Sequence, residues 1–410
     1  LQGGAPFDDP PTAAEDTAMT ITLATALLLS LALAQLWLVI AVRRAVPTTR
    51  SLAEAPAPTR WPLLSIIVPA RDEATNIEAA LASKLSCGYP ALEVVVVDDR
   101  STDETPAILA RLAERTPALR VTRVDELPDG WLGKLHAMHR GLAAARGEWV
   151  LFADADVHVE RGTIERIIAH AEQQQLDFVA VFPKMLPVGP LVDASLAGLL
   201  RILVLAGRLW RINTDGSNIG GGVGAFNLAR RKWIEDTAAL EHLRMEIADD
   251  VALGVWLKQR GARTRFYAGQ STVSLVFQDS IRALLRSADK GGGMFGWVLW
   301  RPALVAAAPI AIELALPAVA IAQGGVAQQL ALAALATLTA VHVLTSAHFG
   351  GPLRGAWLWP LAHLFNGATM LRAGWLAWRR QGVIWRGTFY PRAVVDAGRR
   401  LDPTTMRVAP

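Results

Sequence analysis

Four long apolar runs frame a stretch in which short apolar and polar segments alternate. The first run, residues 20–42, carries no charge. At about 1.5 Å per helical residue it spans a hydrocarbon core of roughly 30 Å. Arg43 and Arg44 follow it, while Asp8, Asp9, Glu15 and Asp16 precede it, which predicts a cytoplasmic C-terminal end. A cleaved leader is disfavoured because the run is too long and its basic residues stand on the wrong side. Runs 302–322, 326–349 and 355–378 come after Trp297 and are bordered by Trp297, Trp300, Trp357, Trp359, Trp375 and Trp378, a placement that suits a membrane interface. Three such crossings would carry the tail outside. Arg379, Arg380, Arg386, Arg392, Arg399 and Arg400 argue that it stays inside. Run 355–378 is the weakest, with His363, Asn366 and Arg372 in it, so the pattern predicts three or four crossings in all.

Between the framing runs the pattern changes. Residues 1–18 are polar and rich in Pro, Gly and Ala, and are expected to be a disordered extension, with Met19 a plausible natural start and residues 19–44 the anchor. Pro47, Pro56, Pro58 and Pro62 mark 45–62 as a linker. Residues 63–290 then read as a water-soluble domain, 291–378 as membrane segments and 379–410 as a basic tail. Within the domain, Leu64–Val68, Leu92–Val97, Leu119–Val124 and Trp149–Phe152 are short β-branched or apolar runs. Thr75–Glu78 and Ser101–Glu104 have the spacing of capping boxes that open helices. The alternation predicts an α/β fold, a mostly parallel sheet with helices on both faces.

Composition narrows the picture little but usefully. Hydrophobic residues are 52% of the 410, charged residues 19%, and the mean hydropathy is +0.29; this excludes disorder and disfavours a purely soluble protein. The net charge of +4 is too weak to argue for nucleic acid, and no nucleic-acid partner is expected. The lone Cys87 excludes an internal disulfide and any cysteine-cluster metal site.

The chemistry lies where the carboxylates fall. Three strands end in acidic turns: Arg71-Asp72-Glu73, Asp98-Asp99 and Asp154-Ala-Asp156. Parallel strands bring such turns to one edge, where open α/β sheets bind ligands. Carboxylates gathered there repel one another unless a cation joins them, and hard oxygen donors suit Mg²⁺ or Mn²⁺. Asp154 and Asp156, two apart on an extended segment, point the same way; they share a metal, or one holds metal and the other a ribose. Lys134, in Gly130-Trp-Leu-Gly-Lys134, stands among glycines that let it approach a phosphate. Asn218–Phe226 is glycine-rich without the ending of a P-loop, and reads as a turn or a close approach to substrate. Asp249 and Asp250 open an apolar helical run, Val251–Leu257. Two neighbouring carboxylates can divide the work, one as general base and the other tuning it; acids at a helix N-terminus are also favoured by the dipole alone. His136, His139 and His158 have no metal-site spacing and read as structural. Arg201, Arg208 and Arg211 among leucines suggest an amphipathic helix at the membrane surface, or an ordinary core or surface helix.

These motifs together resemble the membrane-bound family 2 glycosyltransferases with the GT-A fold, over about residues 63–290. Ser65–Glu73 is similar to the family's first nucleotide-binding strand, which implies nucleotide-sugar contacts at Pro69, Ala70, Arg71 and Glu73. Val96–Asp103 resembles the second, with Asp99 toward the base. Asp154-Ala-Asp156 resembles the DxD motif, with Asp154 toward the nucleotide and Asp156 on the metal. Gly220–Phe226 resembles the acceptor-side segment, implying roles for Gly221, Gly222, Gly224 and Phe226. Ala248–Leu253 aligns with the motif that carries the catalytic base, here Asp250 beside Asp249. Gly130–Lys134 looks like the Gly-Trp-x-Gly-Lys of hopene-associated, carotenoid-type and ceramide-type enzymes, which act on lipids. The resemblance implies an inverting, metal-dependent transfer from a nucleotide diphosphate sugar, most simply UDP-linked, to a lipid acceptor. It places a multi-pass protein in the inner (plasma) membrane with its catalytic domain cytoplasmic. The Gln-x-x-Arg-Trp motif of processive synthases is not matched by Phe277–Arg282 or Leu285–Lys290. Arg282, Arg286 and Trp297 stand as candidate substitutes, and a polysaccharide synthase or a non-catalytic nucleotide-binding scaffold remain the alternatives.

Overall fold

Unbroken apolar strands need cover on both faces, and the chain supplies it. In the computed structural model, which describes residues 13–52, 56–402 and 405–410, the four runs become β1 (Leu64–Ala70), β2 (Leu92–Asp99), β3 (Leu119–Val124) and β4 (Trp149–Phe152). Every residue of β1 and β4 is buried. β1 lies between β2 and β4, parallel to both, and β3 pairs parallel with β2. Helices Ile77–Leu85, Thr105–Arg115 and Gly133–Ala144 follow β1, β2 and β3. The carboxyl ends of β1, β2 and β4 therefore share one edge.

No strand beyond β4 is legible in the pattern, yet the described residues form an eight-stranded sheet. It adds β5 (His158–Val159), β6 (Phe178–Met185), β7 (Asn227–Arg230) and β8 (Thr264–Leu275), in the order β3-β2-β1-β4-β7-β6-β8-β5. β7 runs antiparallel to β4 and β6, and β5 antiparallel to β8, while β6 and β8 are parallel. The sheet is thus parallel-dominated, with β7 the antiparallel strand at its middle.

The two expected capping boxes do not form. The helices begin at Ile77 and Thr105, and neither N-cap residue makes a side-chain cap bond. Ser101 instead joins Asp72, Asp103 and Thr105 in fastening one turn to the other. Asp72 N–H donates to the Ser101 hydroxyl (3.0 Å), and Ala74 N–H to the Asp103 carboxylate (3.0 Å). Glu73 N–H donates to Thr105 Oγ1 (2.9 Å), and Thr102 N–H to the Asp72 carboxylate (2.7 Å). Long-range bonds took these groups because they satisfy two loops at once, where a cap would satisfy one helix end.

Three helices are long and apolar enough to cross a membrane: Ala13–Ala45, Trp300–Gln323 and Gly325–Phe349. The first starts at Ala13, six residues before the expected Met19. The remainder of the expected disordered extension, residues 1–12, lies outside the described residues, as do 53–55 of the linker. The helix Trp359–Arg380 covers the weakest expected crossing and is not among the three. It packs instead along the helix Pro190–Ala206, where the Asn366 side chain bonds the hydroxyl and carbonyl of Ser195. That shorter helix is the one expected to carry an amphipathic arginine face. Its Arg201 forms two bonds to the Glu313 carboxylate, at 2.6 and 2.8 Å, and His363 Nε2 meets the same carboxylate at 2.7 Å. Glu313 sits on a π-helical turn, Ile310–Ala315, inside the second apolar helix. An acid in such a helix needs a partner, and these bonds tie both neighbouring helices to it.

The basic tail is folded. A hairpin of β9 (Gly382–Trp385) and β10 (Thr388–Pro391) leads into the helix Arg392–Gly398, and the chain then lies back on the sheet domain. The buried Glu246 carboxylate accepts from Arg400 N–H (2.7 Å) and Leu401 N–H (2.8 Å). The Trp297 indole donates to Asp396 at 2.8 Å.

Candidate active site

The end of β4 and the loop before β7 build the floor of a cleft. Asp154 N–H donates to the Gly224 carbonyl (3.2 Å), and Gly224 N–H donates to Asp250 Oδ2 (2.8 Å). Lys134, in the first turn of its helix, places its ammonium 2.8 Å from Asp154 Oδ1 and 3.5 Å from Asp249 Oδ2. A β-carbon on Gly224 would stand 2.8 Å from Asp154 Oδ2 and 3.0 Å from Lys134 Nζ; only glycine leaves room for these groups to meet. Lys134, Asp154, Asp156, Gly224, Asp249 and Asp250 all line one cavity of about 670 Å³, within the range of small-molecule sites. Phe182, Met185, Leu275 and Phe277 form an apolar stretch of its wall.

The other expected residues are placed differently. Pro69 lies beneath Lys134 and Asp154 in a small gap below the cleft. Ala70 is buried. Arg71 presents its carbonyl, and Glu73 its carboxylate, to Arg386. Asp99, only 4% exposed, has both oxygens engaged by Arg100 at 2.8 and 3.1 Å, and is absent from the cavity lining. Gly222 is spent on packing, since a β-carbon there would overlap the Asp250 carbonyl; a β-carbon on Gly221 would meet only the Ile212 side chain, at 3.1 Å, while its carbonyl is what a β-carbon on Gly254 would overlap. Phe226 is fully buried in the core with Leu228 and Val181. Of Gly221, Gly222, Gly224 and Phe226, only Gly224 lines the cavity. Glycines that close-pack a loop onto a helix and glycines that admit a substrate look alike in sequence.

Of the candidate substitutes for the missing Arg-Trp pair, Arg286 lines the cavity and Arg282 does not. Trp297 is buried and bonded to Asp396. His136 meets Trp131 edge-on and His139 meets it at a tilt, and neither lines the cavity.

Three cations near the cleft were not singled out by motif. Lys84 is fully buried and donates to the Val157 carbonyl at 2.5 Å, under the Asp154–Asp156 turn. Lys290, on the helix Ile281–Gly291, and Arg386, at the tip of the β9–β10 hairpin, line the cavity. Lys84 and Lys290 had no signal beyond being lysines on amphipathic helices. Arg386 has a weak one: a glycine, Gly387, stands between two short runs rich in β-branched and aromatic residues, Val383–Trp385 and Thr388–Tyr390.

Electrostatics separate the acids. Burial opposes charge on Asp154, but Lys134 overcomes it and holds the carboxyl below its usual range. Burial also works against the Lys134 ammonium, and Asp154, Asp249 and Asp250 outweigh it, so Lys134 stays charged. Asp249, 5% exposed, is pushed up to about 6 by burial, with Asp250 and Asp154 adding to the rise against Lys134. Its Oδ2 has no hydrogen bond among the described residues. Asp156 is raised by burial and then by Asp154, and makes no salt bridge among the described residues.

A divalent cation fits that pattern. Among the described residues no three His, Cys, Asp or Glu are grouped to hold a metal by themselves. Asp156 is instead a single unpaired carboxylate facing the cavity beside a second acid, and a cation there would relieve what raises it. The remaining ligands would come from a substrate's oxygens and water.

Glu73 is pushed up to about 7, by burial and then by Asp156 and Asp154, against Arg386. A carboxyl raised in the fold stabilises it below its unfolded value near 4.5, and that contribution is lost as pH rises through about 7. Glu73→Gln is expected to flatten the fall in thermal midpoint between pH 5 and pH 8. Equal slopes for variant and parent would refute the assignment.

Residues 65–237 match the sequence model described as glycosyl transferase family 2. Over 112 residues the chain is 35% identical to beta-monoglucosyldiacylglycerol synthase of Synechocystis sp., a match covering 27% of this chain and 23% of that protein. It is 37% identical over 112 residues to 4,4'-diaponeurosporenoate glycosyltransferase of Staphylococcus aureus, covering 27% of this chain and 28% of that one. The matched stretch is about a quarter of the length of these curated relatives. Among solved structures, a mannosyltransferase from Pyrobaculum calidifontis, in complex with GDP-Man and Mn2+, superposes with a TM-score of 0.51 at 22% identity. That superposition covers 88% of this chain and 99% of the other, which is a likeness of fold.

Proposed function

We propose that this chain, whose residues 65–237 are a glycosyl transferase family 2 domain, transfers a sugar from a nucleotide diphosphate sugar to the hydroxyl of a membrane lipid, inverting the anomeric centre. The observation that carries the reading is the meeting of Lys134, Asp154, Asp156, Asp249 and Asp250 on one cavity. Asp250 takes the proton from the acceptor hydroxyl. Its oxygens accept from Gly224 N–H and from Val251 N–H (2.8 Å), which fixes the carboxylate and leaves lone pairs for the incoming proton. The acceptor oxygen bonds to the anomeric carbon as the bond to the diphosphate breaks on the opposite face, and the electron pair leaves with the diphosphate. Lys134 meets that charge as a buried point cation. A divalent cation held by Asp156 would supply further charge neutralisation to the leaving diphosphate.

The lipid acceptor is supported by the names of the two relatives and by the apolar wall at Phe182, Met185, Leu275 and Phe277. Three apolar helices hold the protein in the membrane, which we read as the plasma membrane with the sheet domain in the cytoplasm. One crossing before the domain and two after it return the tail to the domain's side. The tail's packing on Glu246 supports that count over four.

The test uses membranes carrying the full chain, incubated with a panel of labelled UDP- and GDP-sugars and then extracted for lipids. Label is expected in the lipid fraction with one donor. Nucleotide binding without label in lipid or polymer would instead support a non-catalytic scaffold, and label in polymer would support a synthase.

A further inference from the structure

The cavity is electrically two-faced. Its floor, from β4 and the helix Asp249–Gln259, presents Asp154, Asp156, Asp249 and Asp250, with Lys134 among them. Its roof, from residues 286–387, presents Arg286, Lys290, Arg380 and Arg386. The one acid among the roof residues that line the cavity, Asp289, is bonded to Arg372. An anion that also carries a cation, such as a metal-bound diphosphate, suits the space between such faces.

Arg386 holds the forward position on this roof. Trp385 pairs with Thr388 across a two-residue turn in which Arg386 has φ +44° and Gly387 φ +77°. Turns of this kind favour Asn, Asp or Gly at their first central position. A side chain with a β-carbon there costs roughly 1–2 kcal/mol, so the guanidinium is placed at the tip against local preference. It reaches the Glu73 carboxylate at 3.2 Å and the Arg71 carbonyl at 3.4 Å, on the turn after β1. It is still 47% exposed. The hairpin is anchored behind the tip: Val383 is buried, Trp385 lies under the Lys290 ammonium at 5.4 Å, and the Tyr390 hydroxyl lies beside the Gly133 backbone and Arg100. It thus spans the cleft from the β1 turn to the start of the Lys134 helix.

We propose that the β9–β10 hairpin is a clamp for the donor diphosphate, and that Arg386 is the residue that grips it. Glu73 and the Arg71 carbonyl hold the guanidinium at the cleft mouth until a diphosphate takes their place. A planar fork of donors suits phosphate oxygens better than the single carboxylate oxygen it now meets. The inference rests on the nucleotide diphosphate reading above and adds a residue from the tail to it.

The experiment measures equilibrium binding of UDP, GDP, uridine and guanosine, each with Mn²⁺, to the full-length protein in detergent. Arg386→Ala is expected to weaken the diphosphate that the parent binds by at least about tenfold. Binding of the matching nucleoside should be unchanged, and Arg386→Lys should recover part of the loss. Gly387→Val is the second variant. Its β-carbon would meet open space, so the substitution strains only the turn, and it should weaken the diphosphate in the same way. Parental diphosphate affinity in Arg386→Ala, or equal losses for nucleoside and diphosphate, overturns the clamp. A parent that binds neither diphosphate overturns the proposed function instead.

Discussion

Asp250→Asn is expected to lose transfer almost entirely, by about 10²–10⁴ in rate, while donor binding stays within about twofold. The substitution preserves shape, and the amide oxygen still accepts from Gly224 N–H, which donates to Asp250 Oδ2 at 2.8 Å. What disappears is the ability to accept a proton, and with it the bond from Val251 N–H to Oδ1. Asp249 cannot stand in, because it is buried and faces Lys134 at 3.5 Å. The measurement pairs single-turnover transfer with nucleotide binding on the same preparation. A variant that transfers at the parental rate would move the base elsewhere.

Lys134→Met is expected to produce the second largest effect, and on two scales. Loss of the cation beside the leaving diphosphate should cost on the order of 10²–10³ in rate. It also leaves Asp154, Asp249 and Asp250 facing one another without their strongest counter-charge, with Lys290 the remaining cation that acts on all three. Breaking a fully buried pair costs about 3–5 kcal/mol, and because Asp154 is 36% exposed solvent screening brings the expected loss to the lower end or below. The pH sign is distinctive. Without Lys134, Asp154 loses what holds it down and Asp249 rises further, so the variant binds more protons in the fold and loses stability as pH rises. Its thermal midpoint should fall further below the parent's at pH 8 than at pH 5. A parallel offset at both pH values would show that Lys134 is merely packing.

Much of the sheet edge was legible because its signals are local. β1, β2 and β4 are unbroken apolar runs, each followed by acids, and burial on both faces leaves no other place for them. β6, β7 and β8 were not legible, since Phe178–Met185 and Thr264–Leu275 carry neither clean alternation nor an acidic end. Ser101–Glu104 has capping spacing, but spacing does not reveal that the turn after β1 takes the Ser101 hydroxyl. Gly224 and Gly222 sit two apart with different jobs, one opening the cleft and one closing a loop onto a helix. The charge of Arg386 signals topology in the sequence and says nothing of its place over the cleft. A residue more than 300 positions from Glu73 is joined to it only by the fold.

The return of the tail to Glu246 has a practical corollary for anyone shortening the gene. A fragment that stops before β9 strips two backbone donors from a carboxylate that is 4% exposed and removes Asp396 from Trp297. Such a truncated membrane protein should express poorly and clump, because the buried Glu246 carboxylate would keep only the Ala248 N–H of its three backbone donors, and an under-satisfied buried charge is costly. Supplying residues 381–410 as a separate peptide should rescue it in part; a shortened protein that stays monodisperse in detergent without the peptide would show the tail to be dispensable ballast.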